Sequence, residues 1–418
     1  MTITRKPVYA PEDLRKFTLN FDLNKNILKN HGYQNIPLSF EDAYKLGLYT
    51  LFPFREELND LFSDQPGNLE ERKTAAAKRS LAALCVLHNK KTYSHPKAAE
   101  QIAGICSAVF DYDIGISRNG FVNPNVPYAI DNCGMGGDIK ATPNVSTAAL
   151  LIAAASGIPV CKHGSPSNAD EGHHGSSDFI ALVFGKNSFV ELIGISKEKV
   201  EESIEKFNFG FIEACDVAYK VIHTQTHNYA DLSHMNDIIG PITTPLNPCL
   251  GIKKIIGINQ LIEPRVVAEA YKIMNKKKVT NLEDGIFVRG YIFPEKVRPE
   301  NDGIDELSTM AGGTKIVRLK KGKITEEEVM PREFGLEPGH YRSINPKLYN
   351  RGGKGKFTMG ILEGKVKGSA KEMILANAAL IENLARGTSL FHAYKKMEYT
   401  LESGAVIDLM SKLRGFFK

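Results

Sequence analysis

The sequence predicts an α/β protein. A small helical domain at the N-terminus precedes a large α/β domain whose mostly parallel central sheet is flanked by helices. Three observations predict this. Residues 1–112 carry helical periodicity and good helix formers. A stretch rich in Gly, Asn and Pro, DIGISRNGFVNPNVP, then interrupts the pattern. Beyond it, short apolar runs separated by glycine turns and a helix follow the grammar of β-loop-α-β units.

In chain order, SFEDAYKLGLYTLF opens with Ser39, an N-cap whose side-chain oxygen can take an orphan N–H of the first turn. ERKTAAAKRSLAALCVLHNKK has amphipathic spacing, and HPKAAEQIAGICSAVFDY continues it. After the boundary, YAID reads as a short strand, VSTAALLIAAAS as a helix closed by Gly157, and IPVCK as a second strand. FGFIEA, IKKIIGI and GIFVRGYIF are further buried-strand candidates. KIVRLKKGKITEEEVMP reads as a hairpin turning at Lys321-Gly322. SAKEMILANAALIENLA and SLFHAYKKMEYTLESGAVIDLMSKL read as two amphipathic helices. The expected division is 1–112, completed by helices near 215–240, against 113–418.

Composition narrows the class. The 418 residues are 42% hydrophobic and 24% charged, ordinary for a soluble globular chain of two units. No apolar run approaches the ~20 residues of a membrane span. MTITRKPVYAPEDLRKF lacks the apolar core of a secretory signal. Cys85, Cys106, Cys133, Cys161, Cys215 and Cys249 are scattered without metal-ligand spacing, which points to reduced thiols and a cytoplasmic protein. A formal charge of +5 suits a small anionic substrate and does not demand nucleic acid.

The chemistry concentrates in DNCGMGGDIKATPNVSTAALLIAAASGIPVCKHGS, residues 131–165. A glycine turn between strand and helix lets backbone N–H groups face an anion beside the helix's positive end. Gly134, Gly136 and Gly137 offer that close approach. Asn144, Ser146 and Thr147 stand at the helix start, where they can cap it or meet phosphate oxygens or a metal. Lys162 ends the next strand and reaches the same carboxyl edge, where ligands of open α/β sheets bind. The loop has neither the dinucleotide nor the P-loop spacing. The alternative for the loop by itself is a tight turn whose glycines only satisfy geometry.

GMGGD, NVST and KHGS in this order resemble the glycine-loop, N-x-S-T and K-H-G motifs of the anthranilate phosphoribosyltransferase family. DGIDELSTMAGGTKIVRLKKGKITEEEVMPREFGL and ILANAALIENLARG resemble its paired-acid segment and C-terminal asparagine-alanine helix. The resemblance implies a site for phosphoribosyl pyrophosphate (PRPP) at the carboxyl edge of the sheet. It assigns Gly134, Gly137 and Asp138 to the glycine loop, and Asn144, Ser146 and Thr147 to the N-x-S-T. Lys162 takes the phosphate, while Ser146, Asp305 and Glu306 hold Mg2+. It also implies a homodimer through the small domain. Adjacent acids are by themselves a common surface feature, and this pair is expected on an exposed loop.

The match is incomplete. Met135 stands for the family threonine, and Ser165-Pro166 for an asparagine-arginine pair. The following loop, up to Gly175-Ser176, is longer, and Asn168 is a candidate for the missing amide. His173 and His174 lie in it, but adjacent histidines point apart in regular structure. On the acceptor side the family clamps a carboxylate with a histidine and an arginine. Those positions fall near Val217 and His227, and ACDVAYKVIHTQTHNYADLSHMND holds no arginine. Lys220 is its only formal cation, with His223, His227 and His234 beside it. The sequence therefore reads as a Mg2+- and PRPP-dependent phosphoribosyltransferase with an altered acceptor site. The alternatives are a nucleoside phosphorylase, or a non-catalytic homologue that binds nucleic acid through basic runs such as NKKKV and RLKKGK.

Overall fold

The computed structural model describes residues 7–9, 14, 34–63, 66–87, 89–137, 140–166, 175–223, 233–294, 303–345 and 353–418, of which 233–236 by their backbone alone. The chain divides into two compact units. One comprises Met1–Phe121, Cys215–Cys249 and Leu261–Asn281, and the other Val122–Ala214, Leu250–Gln260 and Leu282–Lys418.

The first unit is helical throughout its described regular structure. Helix α1 (Phe40–Leu51) starts at Ser39, whose Oγ accepts the Asp42 N–H at 3.2 Å. Helix α2 (Leu69–Leu87) ends before a separate turn, Lys90–Tyr93, capped by Asn89. Helix α3 (Ala98–Tyr112) is buried along its whole length and is the unit's axis. It crosses α1 closely because a Cβ on Gly104 would lie 2.3 Å from the Phe40 carbonyl oxygen. The helices Ser233–Ile242 and Pro264–Lys276 also pack on α3.

A buried carboxylate joins the separate chain segments of this unit. Asp113, fully buried at the end of α3, accepts from the Arg55 guanidinium. It also accepts the Val221 N–H at 2.8 Å and the Ile222 N–H at 3.0 Å. Beside it, Ser117 Oγ donates to the Tyr219 carbonyl at 2.6 Å and the Asn119 N–H to the Ala218 carbonyl at 2.9 Å. The returning chain is thus fastened to α3 residue by residue.

The second unit holds one eight-stranded sheet. In chain order its elements begin β1 (Ile130–Gly134), α4 (Val145–Ala155), β2 (Val160–Gly164), α5 (Ser176–Phe184), α6 (Lys197–Phe207) and β3 (Phe209–Glu213). Strands β4 (Ile252–Gly257), β5 (Leu282–Tyr291), β6 (Gly303–Ile304), β7 (Thr314–Lys320) and β8 (Lys323–Val329) follow. Helices α7 (Gly353–Leu362), α8 (Ser369–Arg386), α9 (Leu390–Glu402) and α10 (Ala405–Phe416) finish it. The order is β3-β2-β1-β4-β5-β7-β8, with β6 beside β5. The first five strands are parallel, and β6, β7 and β8 are antiparallel. The mostly parallel sheet inferred from the sequence is present.

Local rules explain the details. Helix α4 is apolar on every side because it is buried on every side, against the sheet and against α8. The β7–β8 hairpin turns at Lys321 (φ 48°) and Gly322 (φ 76°), the two positive φ values that fit the strands' twist. One expectation is corrected. The last amphipathic stretch is two helices, because the chain breaks at Ser403-Gly404, where Gly404 takes φ 84°. Among the described residues no helix is long and apolar enough to cross a membrane. The six cysteines are free thiols.

Replacing Asp113 tests the first unit's fastening. Asp113→Ala leaves the Arg55 guanidinium without its buried counter-ion and two backbone N–H groups without acceptors. A loss of about 3–5 kcal/mol is expected in urea unfolding, and a loss below ~1 kcal/mol would contradict the role.

Candidate active site

The site is built at the carboxyl ends of the central strands. Gly134 ends β1 and Gly257 ends β4, paired side by side. A Cβ on Gly134 would lie 2.1 Å from Asp305 Oδ2, and one on Gly257 only 1.4 Å from the Asp305 carbonyl oxygen. Asp305 therefore rests directly on the two strand ends, and only glycine leaves it room. The chain then turns through Gly136 (φ 77°) and Gly137 (φ 72°). The Gly136 N–H donates to Asp305 Oδ2 at 2.7 Å. Met135, in place of the family threonine, is buried, with its N–H on the Gly257 carbonyl at 2.9 Å.

Glu306 reaches the start of α4 instead. Its Oε1 accepts the Ser146 N–H at 3.3 Å, one of the first-turn donors that a helix leaves unpaired. Lys162 arrives from β2, 2% exposed, and its Nζ donates to the Asn132 carbonyl at 3.2 Å and to Ser146 Oγ at 3.4 Å. Burial pushes the Glu306 carboxyl up to about 8, and the charge of Asp305 adds to the rise. Lys162, the Ser146 N–H and Lys354 oppose it without cancelling it. Two acids beside each other in a dry site are short of positive charge. The expected exposed loop is corrected here, because Asp305 and Glu306 are each 8% exposed.

Asn144 ties the beginnings of α4 and α5 to the middle of α7. Its N–H donates to Thr358 Oγ1 of α7 at 3.1 Å, and its Nδ2 to the Gly175 carbonyl before α5 at 3.2 Å. Its side chain makes no capping bond to α4, so one of the roles open to it in the sequence is excluded. Thr147 is buried in the first turn. Ser165, Gly175 and Ser176 gather at the end of β2. The Ser165 carbonyl accepts the Ser177 N–H at 3.2 Å, and a Cβ on Gly164 would meet Ser176 Oγ at 1.9 Å. Asp138, Asn168, His173, His174 and His227 lie outside the described residues, as does the side chain of His234.

Several contributors were not singled out by sequence reasoning. Asn377 of α8 accepts the Leu307 N–H at 3.1 Å and donates to the Leu307 carbonyl at 2.9 Å, holding the acid loop from below. Its signal was a lone amide within an apolar helix stripe. Thr358, Asn259 and Gln260 carry no comparable pattern. The oxygen donors Asp305, Glu306 and Ser146 form a hard ligand set, and their surplus negative charge suits a small divalent cation such as Mg2+.

On the face opposite Lys162, strand alternation turns His163 toward Asp131. Lys254 Nζ lies 2.6 Å from Asp131 Oδ2 and His163 Nδ1 3.7 Å from Oδ1, all three buried. Cys133 brings a thiol to the same cluster, but the Lys254 ammonium already occupies the cation's place. Burial works to raise the Asp131 carboxyl. Lys254 and His163 outweigh it and hold the group well below the usual carboxylate range. In the helical unit, Lys220 is fully buried and donates to the Gly240 and Thr243 carbonyls at 3.3 and 3.0 Å. It closes the C-terminal end of the Ser233–Ile242 helix.

Comparison with known proteins agrees with this geometry. Residues 126–407 match the glycosyl transferase family, a/b domain. The anthranilate phosphoribosyltransferase of Methanosarcina mazei is 30% identical over 72% of this chain and 74% of its own length. That of Bacillus pumilus is 27% identical over 68% and 76%. The Saccharomyces cerevisiae anthranilate phosphoribosyltransferase, solved in complex with PRPP and Mg, superposes with a TM-score of 0.66 at 19% identity, covering 94% of this chain and 99% of that one. The Thermus thermophilus structure gives 0.64 at 21%, covering 93% and 98%. At these identities the structural likeness is one of fold.

The Asp131 cluster makes stability pH-dependent with a defined sign. A carboxyl held below its unfolded value of about 3.9 contributes stability above that pH and loses it as pH falls toward the folded value. The stability advantage of the wild type over Asp131→Asn should therefore shrink between pH 7 and pH 3. Asp131→Asn should be less stable at pH 7 by about 3–5 kcal/mol, since Lys254 loses its counter-ion, and should lose less on acidification. Parallel pH profiles for the two proteins would refute the assignment.

Proposed function

The chain belongs to the glycosyl transferase family in its anthranilate phosphoribosyltransferase branch. From that membership we propose that it transfers the phosphoribosyl group of PRPP, with Mg2+, to a small nucleophile other than anthranilate. One observation carries the donor half of this reading. Asp305 and Glu306 are buried side by side over the glycine turn, within reach of Ser146 and Lys162 at the sheet's carboxyl edge.

Each group then has a task. The Gly136 N–H orients Asp305, and the Ser146 N–H orients Glu306. Those two carboxylates and Ser146 Oγ would hold Mg2+, which neutralises charge on the departing pyrophosphate. Lys162 places its ammonium beside the same helix start for a phosphate oxygen. The acceptor's lone pair attacks the anomeric carbon as the bond to pyrophosphate breaks. The protein contributes position and charge, and no covalent nucleophile is required.

The acceptor half rests on Lys220. An anthranilate-type carboxylate wants a charged fork, and residues 214–237 offer no arginine. Their one lysine is fully buried and holds two backbone carbonyls, so it serves the fold. Val217, near the family histidine's position, is 53% exposed and has no polar side-chain atom.

Calorimetry should show PRPP binding in the presence of Mg2+, weakened at least tenfold by Lys162→Ala or Asp138→Ala. Unchanged affinity in both variants would overturn the donor assignment. Asp305→Asn combined with Glu306→Gln should abolish turnover. Without Mg2+ the double variant should melt no lower than the wild type, because two like charges are removed, and Mg2+ should raise Tm of the wild type alone. Anthranilate at micromolar concentrations should give no turnover, and efficient use of it would overturn the acceptor reading.

A further inference from the structure

The glycine turn contains two consecutive glycines in the left-handed region, Gly136 and Gly137. Such a pair is the most conformationally free dipeptide a chain can carry. A turn that must present its N–H groups in one direction needs something to hold it. The segment that follows β4 supplies this. Asn259 Nδ2 donates to the Gly136 carbonyl at 3.1 Å, and Gln260 Nε2 donates to the Gly137 carbonyl at 3.1 Å. Asn259 is itself anchored, 3% exposed, with its carbonyl accepting from the Arg289 guanidinium of β5 at 2.5 Å. Three bonds thus run from β5 through the β4 end to the two glycines.

The direction follows from peptide geometry. In a trans peptide the C=O of one residue and the N–H of the next point opposite ways. Holding the Gly136 carbonyl toward Asn259 turns the Gly137 N–H away from it. The other N–H groups of the turn are engaged, Met135 with the Gly257 carbonyl and Gly136 with Asp305. The Gly137 N–H has no partner among the described residues.

We infer that Asn259 and Gln260 are positioning residues for the donor substrate, holding the glycine turn so that the Gly137 N–H faces a phosphate oxygen of PRPP. The inference rests on the reading of the protein as a PRPP enzyme. Neither residue touches the reacting atoms. Their effect passes through the backbone they hold, and it lies in donor affinity rather than in the chemical step.

The test uses Asn259→Ala, Asn259→Asp and Gln260→Ala in the full-length protein, with PRPP·Mg2+ calorimetry and steady-state kinetics. Asn259→Asp keeps the side chain's shape but removes the amide donor and adds a charge, and Asn259→Leu, uncharged and of similar size, is measured beside it to separate hydrogen bonding from charge and packing. PRPP affinity is expected to fall at least tenfold in every Asn259 variant and severalfold in Gln260→Ala. KM for PRPP should rise while kcat changes less than threefold, and hydrogen exchange of the 134–137 backbone should quicken. If the wild type binds PRPP and the Asn259→Asp variant binds it equally well, the inference is overturned and the functional reading stands. If the wild type does not bind PRPP, the functional reading falls and takes the inference with it.

Discussion

The second unit depends on one close approach, the seating of Asp305 on the ends of β1 and β4. With a Cβ at Gly257 placed 1.4 Å from the Asp305 carbonyl oxygen, the contact tolerates no other residue. A parallel sheet places strand carboxyl ends and helix N-termini on one edge, so this edge carries partial positive charge. An acid seated there accepts the Gly136 N–H and fixes the turn, while its neighbour Glu306 is brought against Ser146. Asn377 holds the next residue from the opposite side, so the acid loop is determined from both directions.

From that seating follows an electrostatic tension. Two buried carboxyls stand beside each other, and burial lifts Glu306 to about 8 against the pull of Lys162 and Lys354. Such an arrangement is unfavourable in the protein alone and favourable with a divalent cation and a phosphorylated ligand. This is how a binding site differs from a structural ion pair. The Asp131–Lys254–His163 cluster on the other face shows the contrast, since each charge there is met within the protein. The same strands carry paired charges on one face and adjacent acids on the other.

The helical unit shows the same economy in a structural setting. Its buried Lys220 and its buried Asp113 are both committed to backbone groups, one at a helix end and one at the returning chain.

What the sequence determined by itself is what depends on neighbours along the chain. The Ser39 cap, the Gly157 stop, the Lys321-Gly322 turn and the β-loop-α-β unit are local rules, legible because periodicity and φ preference act within a few residues. The ordered glycine, N-x-S-T and K-H-G motifs likewise marked Gly134, Ser146 and Lys162 as neighbours in space. Tertiary structure alone decided what depends on long-range contact. It placed Asp305 and Glu306 in a buried site rather than on a surface loop. It gave Lys220 to a helix end, broke the last helix at Gly404, and brought Asn259, Gln260, Thr358 and Asn377 to the site. Burial and the partner of a polar side chain are set by residues from twenty to more than a hundred positions away. An asparagine that holds a glycine turn therefore looks, in the sequence, like any other asparagine.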